Sequence, residues 1–97
     1  MSAVELKPAD FEGLAAPLPV EHPAPPSPIE LVVESVSALP SHPYREAPFS
    51  LVLKGPATPA LAQGLVTVRH PKLGPIELFL VPIGRDSAAT RYEAVFN

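Results

Sequence analysis

The chain reads as an all-β domain, mainly antiparallel, a small barrel or sandwich of five to seven short strands with a short N-terminal helix. Three observations predict this. Runs of four to eight residues alternate apolar and polar side chains with a period of two, the pattern of a half-buried strand. Gly55, Gly64, Gly74 and Gly84 break the second half every nine or ten residues, a spacing that fits hairpins of a sandwich or barrel. No segment of helical period separates the strands, so a parallel βαβ architecture is not expected and the short connections imply antiparallel pairing.

The elements follow in order along a single expected domain, residues 1–97. A short helix is predicted over 7–14, "KPADFEGL". Pro8 suits a first-turn position, Asp10 and Glu12 suit a helix N-terminus, and Gly13 offers a stop. Phe11 and Leu14, three apart, would share a face and plug one end of the core. Residues 15–28 form a proline-rich segment, with Pro17, Pro19, Pro23, Pro25, Pro26 and Pro28 inside it. Proline fixes φ and donates no hydrogen bond, which predicts an edge strand around Leu18 to Glu21 and then an extended, polyproline-like loop.

The main sheet is expected over 29–97. In "IELVVESVSAL" (29–39), Ile29, Leu31 and Val33 alternate with Glu30, Val32 and Glu34. "PFSLVLKGP" (48–56) turns Phe49, Leu51 and Leu53 inward. "PATPALAQ" (56–63) reads as a turn or a single helical turn. "GLVTVRHP" (64–71) places Val66, Val68 and His70 on one side and Leu65, Thr67 and Arg69 on the other. "TRYEAVFN" (90–97) divides Tyr92, Ala94 and Phe96 from Arg91, Glu93 and Val95.

The remaining strand is the most unusual. In "PIELFLVPIGR" (75–85), Pro75 and Pro82 bracket a run from Ile76 to Val81 in which only Glu77 is charged. Alternation leaves both faces apolar. Phe79 and Val81 are assigned to the core, and Ile76, Leu78 and Leu80 to a second face that the N-terminal helix, a neighbouring sheet or another subunit must cover. If the helix lies elsewhere, that face is the candidate interaction surface. Pro82, which cannot donate to a ladder, marks a bulge or the end of pairing.

Composition bounds the function classes. With 97 residues, 46% hydrophobic and 18% charged, the chain is long enough and apolar enough to bury one core. It has no cysteine, which excludes disulfides, thiolate catalysis and cysteine-ligated metal sites. A reducing cytoplasm is the simplest setting, and the start, Met1 to Glu5, shows no secretion signal. No apolar stretch approaches the ~20 residues of a membrane helix, so no membrane insertion is expected. A net charge of −3 without a basic stripe speaks against nucleic acid. The charge is uneven: residues 1–48 carry two bases against seven acids, and residues 49–97 carry five against three. Such asymmetry is compatible with head-to-tail contacts between subunits, but solvated surface is the preferred explanation for most of it.

Reactive groups offer little. His22, His42 and His70 each precede a proline. They show no short-range ligand spacing, and no metal or cofactor is expected. His70 is expected at a strand end, bonded to a neighbouring carbonyl, unless it lines a pocket with Glu77 and Glu93, the two acids embedded in the most apolar strands. Cross-sheet ion pairs to Arg69, Arg85 or Arg91 account for those acids without catalysis. Glu30 and Glu34 would stand ~13 Å apart on the solvent side of their strand. No nucleophile elbow and no phosphate-cradling glycine loop occur. No catalytic residues are assigned, and the chain is not expected to be an enzyme.

The segments "PFSLVLKGP", "LAQGLVTVRHPKLGPIELFLVPIGRD" (61–86) and "RYEAVFN" (91–97), with a weaker echo in "PADFEGL" (8–14), resemble a family of small bacterial β-rich proteins without an assigned activity. The resemblance covers residues 48–97 most strongly and departs from the family pattern at the prolines of 15–28. Members are often encoded near phage-tail-collar-like proteins, so the resemblance implies an accessory or structural component of a phage-tail-like assembly. The expected partner is another protein or a second copy of the chain. The alternative is a small-molecule or glycan-binding barrel without catalysis.

Overall fold

The computed structural model describes residues 6–22, 28–39 and 48–96. Six strands close into a barrel: β1 (Leu18–His22), β2 (Glu30–Ala38), β3 (Phe49–Pro56), β4 (Gly64–His70), β5 (Gly74–Arg85) and β6 (Ala89–Phe96). Every pairing is antiparallel, and the order around the barrel is β1-β2-β3-β6-β5-β4. Closure decides between the two expected architectures and corrects the edge assignment of the first strand. β1 pairs with β2 at Leu18 and Pro19, and its ladder to β4 begins after the proline, at Val20.

The predicted helix over 7–14 is one 3₁₀ turn, Pro8–Asp10. The Lys7 amide donates to the Asp10 carboxylate at 2.8 Å, and the amides of Phe11 and Glu12 both reach the Pro8 carbonyl. Gly13, at φ +70°, then turns the chain away, because the left-handed conformation that glycine adopts readily ends a helix. The expected plug survives this correction. Phe11 is fully buried and Leu14 packs partly against the core. The proposed polyproline loop lies largely outside the described residues, as does His42.

A six-stranded barrel has a bore narrow enough for side chains to fill. Leu18, Leu31, Leu51, Leu53, Val68, Leu78, Leu80 and Tyr92 are among those that fill it. The alternation expected for β3, β4 and β6 is observed, with Phe49, Leu51, Leu53, Val66, Val68, His70, Tyr92 and Ala94 buried. In β2 a bulge between Val33 and Ser35 shifts the register against β3, so Val36, rather than Ser35, returns to the core side. Gly55 permits close packing of the bore: a Cβ there would stand 2.8 Å from the Leu31 side chain.

Each end of the barrel is closed by named contacts. At one end Phe11, Phe49 and Phe96 cluster, with Phe49 and Phe96 stacked at 4.6 Å between centroids. Elsewhere the loop between β3 and β4 is fastened to β6. The Leu61 amide donates to the Tyr92 hydroxyl at 2.8 Å and the Thr90 hydroxyl to the Ala57 carbonyl at 3.3 Å. The buried hydroxyls of Tyr92 and Thr90 are thereby hydrogen-bonded, as burial requires.

Candidate functional site

The β4–β5 hairpin sets the surface. Residues 71–73 connect the strands, and Gly74, the first residue of β5, pairs with His70 at φ +77°, a left-handed conformation that favours glycine. That turn fixes Val68 opposite Ile76, Val66 opposite Leu78 and Gly64 opposite Leu80. Directly paired residues of an antiparallel ladder share a face. With Val66 and Val68 inside, Ile76, Leu78 and Leu80 must be inside too, and all three are buried. The expected interaction surface of Ile76, Leu78 and Leu80 is therefore corrected: these residues build the core, and the opposite face of β5 meets solvent.

That outer face carries an apolar stripe. Phe79 is 52% exposed and its direct partner on β4, Leu65, is 58% exposed. Val81 pairs with Glu93 at the start of the β5–β6 ladder, and Val95, two residues further along β6, is also exposed. Leu65 and Phe79 thus form an exposed cross-strand pair, with Val95 exposed on β6. Ile83, exposed at the β5 bulge, and half-buried Val81 extend it along β5. Contiguous exposed apolar side chains of this kind mark contact surfaces, whereas single ones need no explanation. Glu77 and Glu93 border the stripe and make no ion pair among the described residues.

Pro82 behaves as the sequence implied. The β5 ladder to β4 runs from Gly74 to Leu80, its ladder to β6 from Val81 to Arg85, and the register shifts between Pro82 and Gly84. The strand is longer than the predicted Ile76 to Val81 because it passes from one partner to the other across the proline.

The possible pocket of His70, Glu77 and Glu93 does not assemble. His70 is buried, while Glu77 is exposed on the outer wall beside Thr67 and Glu93 lies beside Val81. Both imidazole nitrogens are committed to structure. Nδ1 accepts from the amides of Lys72 (3.0 Å) and Leu73 (3.2 Å). Nε2 consequently carries the proton and donates to the Asp10 carbonyl at 2.8 Å. Phe11 meets the ring edge-on at 5.6 Å. His70 latches the N-terminal strap to the β4–β5 turn, in line with the expected strand-end role.

Two of the three predicted arginine partners of Glu77 and Glu93 are otherwise engaged, and the third, Arg85, makes no ion pair among the described residues. Arg69 binds Glu21 at 2.8 Å. Arg91 binds Glu34 at 2.9 Å and approaches Asp86 at 3.6 Å. Glu34, by hydrogen bond and charge, holds the guanidinium above its usual range. The Asp86 carboxyl lies below its usual range, chiefly because the amides of Ala88 and Ala89 donate to it and secondarily because of Arg91.

No helix among the described residues is long and apolar enough to cross a membrane. No group of three histidine, aspartate or glutamate side chains that could hold a metal occurs among them. Alternation set Leu65 and Val95 opposite the inner residues of their strands, whereas Phe79 and Ile83 escaped it, because it leaves the phase of a doubly apolar strand open. Counting outward from a three-residue turn between His70 and Gly74 would have found them.

Residues 6–96 match the family model of a domain of unknown function, DUF6916. Neither a curated protein nor a solved structure matches the chain.

Proposed function

We propose that this chain, which belongs to the DUF6916 family, is a non-catalytic interaction module that docks on another protein through the outer wall of its barrel. The carrying observation is the cross-strand pair of Leu65 and Phe79, exposed together with Ile83 on β5 and Val95 on β6 in a molecule whose core is otherwise complete. Burying such side chains in a contact removes apolar area from water, and aromatic anchors at the centre of a patch carry a large share of binding energy. Glu77 and Glu93 supply a polar border that would orient the partner.

The resemblance to proteins encoded beside phage-tail components supports an accessory place in a phage-tail-like assembly. The filled bore speaks against the alternative of a small molecule or glycan held inside the barrel. His70, with both ring nitrogens bonded to backbone, offers neither base nor ligand.

The test is quantitative affinity capture from the native host with the wild-type chain and a Phe79→Ser variant of equal thermal stability. A stoichiometric protein partner that the wild type retains and the variant loses supports the proposal. Equal capture by both, or a strictly monomeric protein that captures nothing specific, overturns it.

A further inference from the structure

A second site lies where the barrel wall parts. β1 pairs with β2 only at Leu18 and Pro19, and the same register continued toward the N-terminus would lay residues 13–16 against 33–36. The strap instead bends away into its 3₁₀ turn, leaving a cleft of about 430 Å³ between residues 11–15 and residues 33–36. Successive side chains of a strand point to opposite faces. Four consecutive residues of β2 line the cleft, so it runs along the strand's edge and not over one face.

That edge is open. β2 is laddered to β3 from Val32 to Ala38 on its other side. No backbone hydrogen bond joins it to the strap among the described residues. An open edge presents N–H and C=O groups that template an added strand. The bulge between Val33 and Ser35 lies within this stretch, and bulges bend a strand and re-aim its side chains. Leu14, Val33 and Val36 are only partly buried. Among the described residues, the charged side chains of the lining are Glu12 and Glu34, and no base lines it. Arg91 holds Glu34, while Glu12 makes no ion pair among the described residues.

We propose that this cleft receives an extended, basic segment of a partner polypeptide, which adds a strand to the edge of β2 at residues 33–36. Its backbone pairs with β2, alternate apolar side chains pack on Val33 and Val36, and a lysine or arginine meets Glu12. At ~3.3 Å per residue, about four residues of the guest lie in the cleft. This site is separate from the outer stripe and does not rest on it.

The probe is a fluorescent seven-residue peptide alternating valine and threonine, with a lysine at each end, titrated by anisotropy and by amide chemical shifts. Expected are saturable binding and shifts confined to residues 11–15 and 33–36. Of two versions N-methylated on either alternate set of amides, one binds at least tenfold more weakly. Glu12→Lys weakens the parent peptide severalfold, and Phe79→Ser leaves it unchanged, which separates this site from the stripe. Absence of saturable binding up to millimolar peptide overturns the proposal. So do equal binding by both N-methylated versions, shifts centred on Leu65 and Phe79, or concentration-dependent shifts of residues 33–36 without peptide, which assign the cleft to a second copy.

Discussion

The two faces of β5 are almost equally apolar and have opposite fates. Ile76, Leu78 and Leu80 are buried in the bore, while Phe79 and Ile83 on the other side are about half exposed. Hydrophobicity therefore does not tell folding from function in this strand. Register does, because the β4–β5 turn pairs each inner residue with an inner partner and sets Phe79 against exposed Leu65. The inner face is held by packing that the chain completes alone. The outer face is apolar without a counterpart among the described residues.

Substitutions on the two faces should separate accordingly. Leu78→Ala removes a side chain that is 1% exposed and should destabilise by about 2–5 kcal/mol, since a cavity is left behind. Phe79→Ser should change stability by about 1 kcal/mol or less, as surface strand positions do. Denaturant unfolding of both variants checks the contrast, and similar losses would erase it.

The latch makes a finer test. His70→Ala deprives the amides of Lys72 and Leu73 of their acceptor and the Asp10 carbonyl of its donor. A loss of about 1–3 kcal/mol is expected, with faster amide exchange in the strap and in the turn that sets the β5 register. A smaller effect, about 1 kcal/mol, is expected for Tyr92→Phe, which removes the hydroxyl that accepts from the Leu61 amide. In this variant exchange should quicken in the β3–β4 loop and leave the strap unchanged.

The smallest effect concerns pH. The Asp86 carboxyl is depressed in the folded chain, so its contribution is present above the unfolded value, ~3.9, and disappears as pH falls through the folded value. Acidification below about pH 4 should loosen the β5–β6 turn, read as amide shifts at Ala88 and Ala89. Asp86→Asn should abolish that titration while the outer stripe keeps its shifts.

Much of the fold was legible in the sequence because period-two alternation is a local property. β3, β4 and β6 appear with their expected inner residues, and Pro82 sits at a bulge as its missing donor demanded. What escaped depends on contacts distant in sequence. The phase of β5 follows from its partner, not from its own residues. The two-sided pairing of β1 follows from barrel closure. The Val33–Ser35 bulge moves Val36 to the core side, which no alternation rule anticipates. Arg69 and Arg91 pair with Glu21 and Glu34, 48 and 57 residues away, and not with Glu77 or Glu93. The pocket of His70, Glu77 and Glu93 failed for a related reason: alternation names a face but not the side of the wall that faces the core.

The central claim is that the outer wall at Phe79 is where a partner sits. A photoreactive amino acid placed at position 79, and in a separate variant at Val32, tests it directly, because Val32 is also exposed but stands on β2. Irradiation in the native host should crosslink one discrete protein from position 79, and that protein should be absent from the crosslinks of position 32. Crosslinking from position 32 alone, or from neither position, would contradict the account.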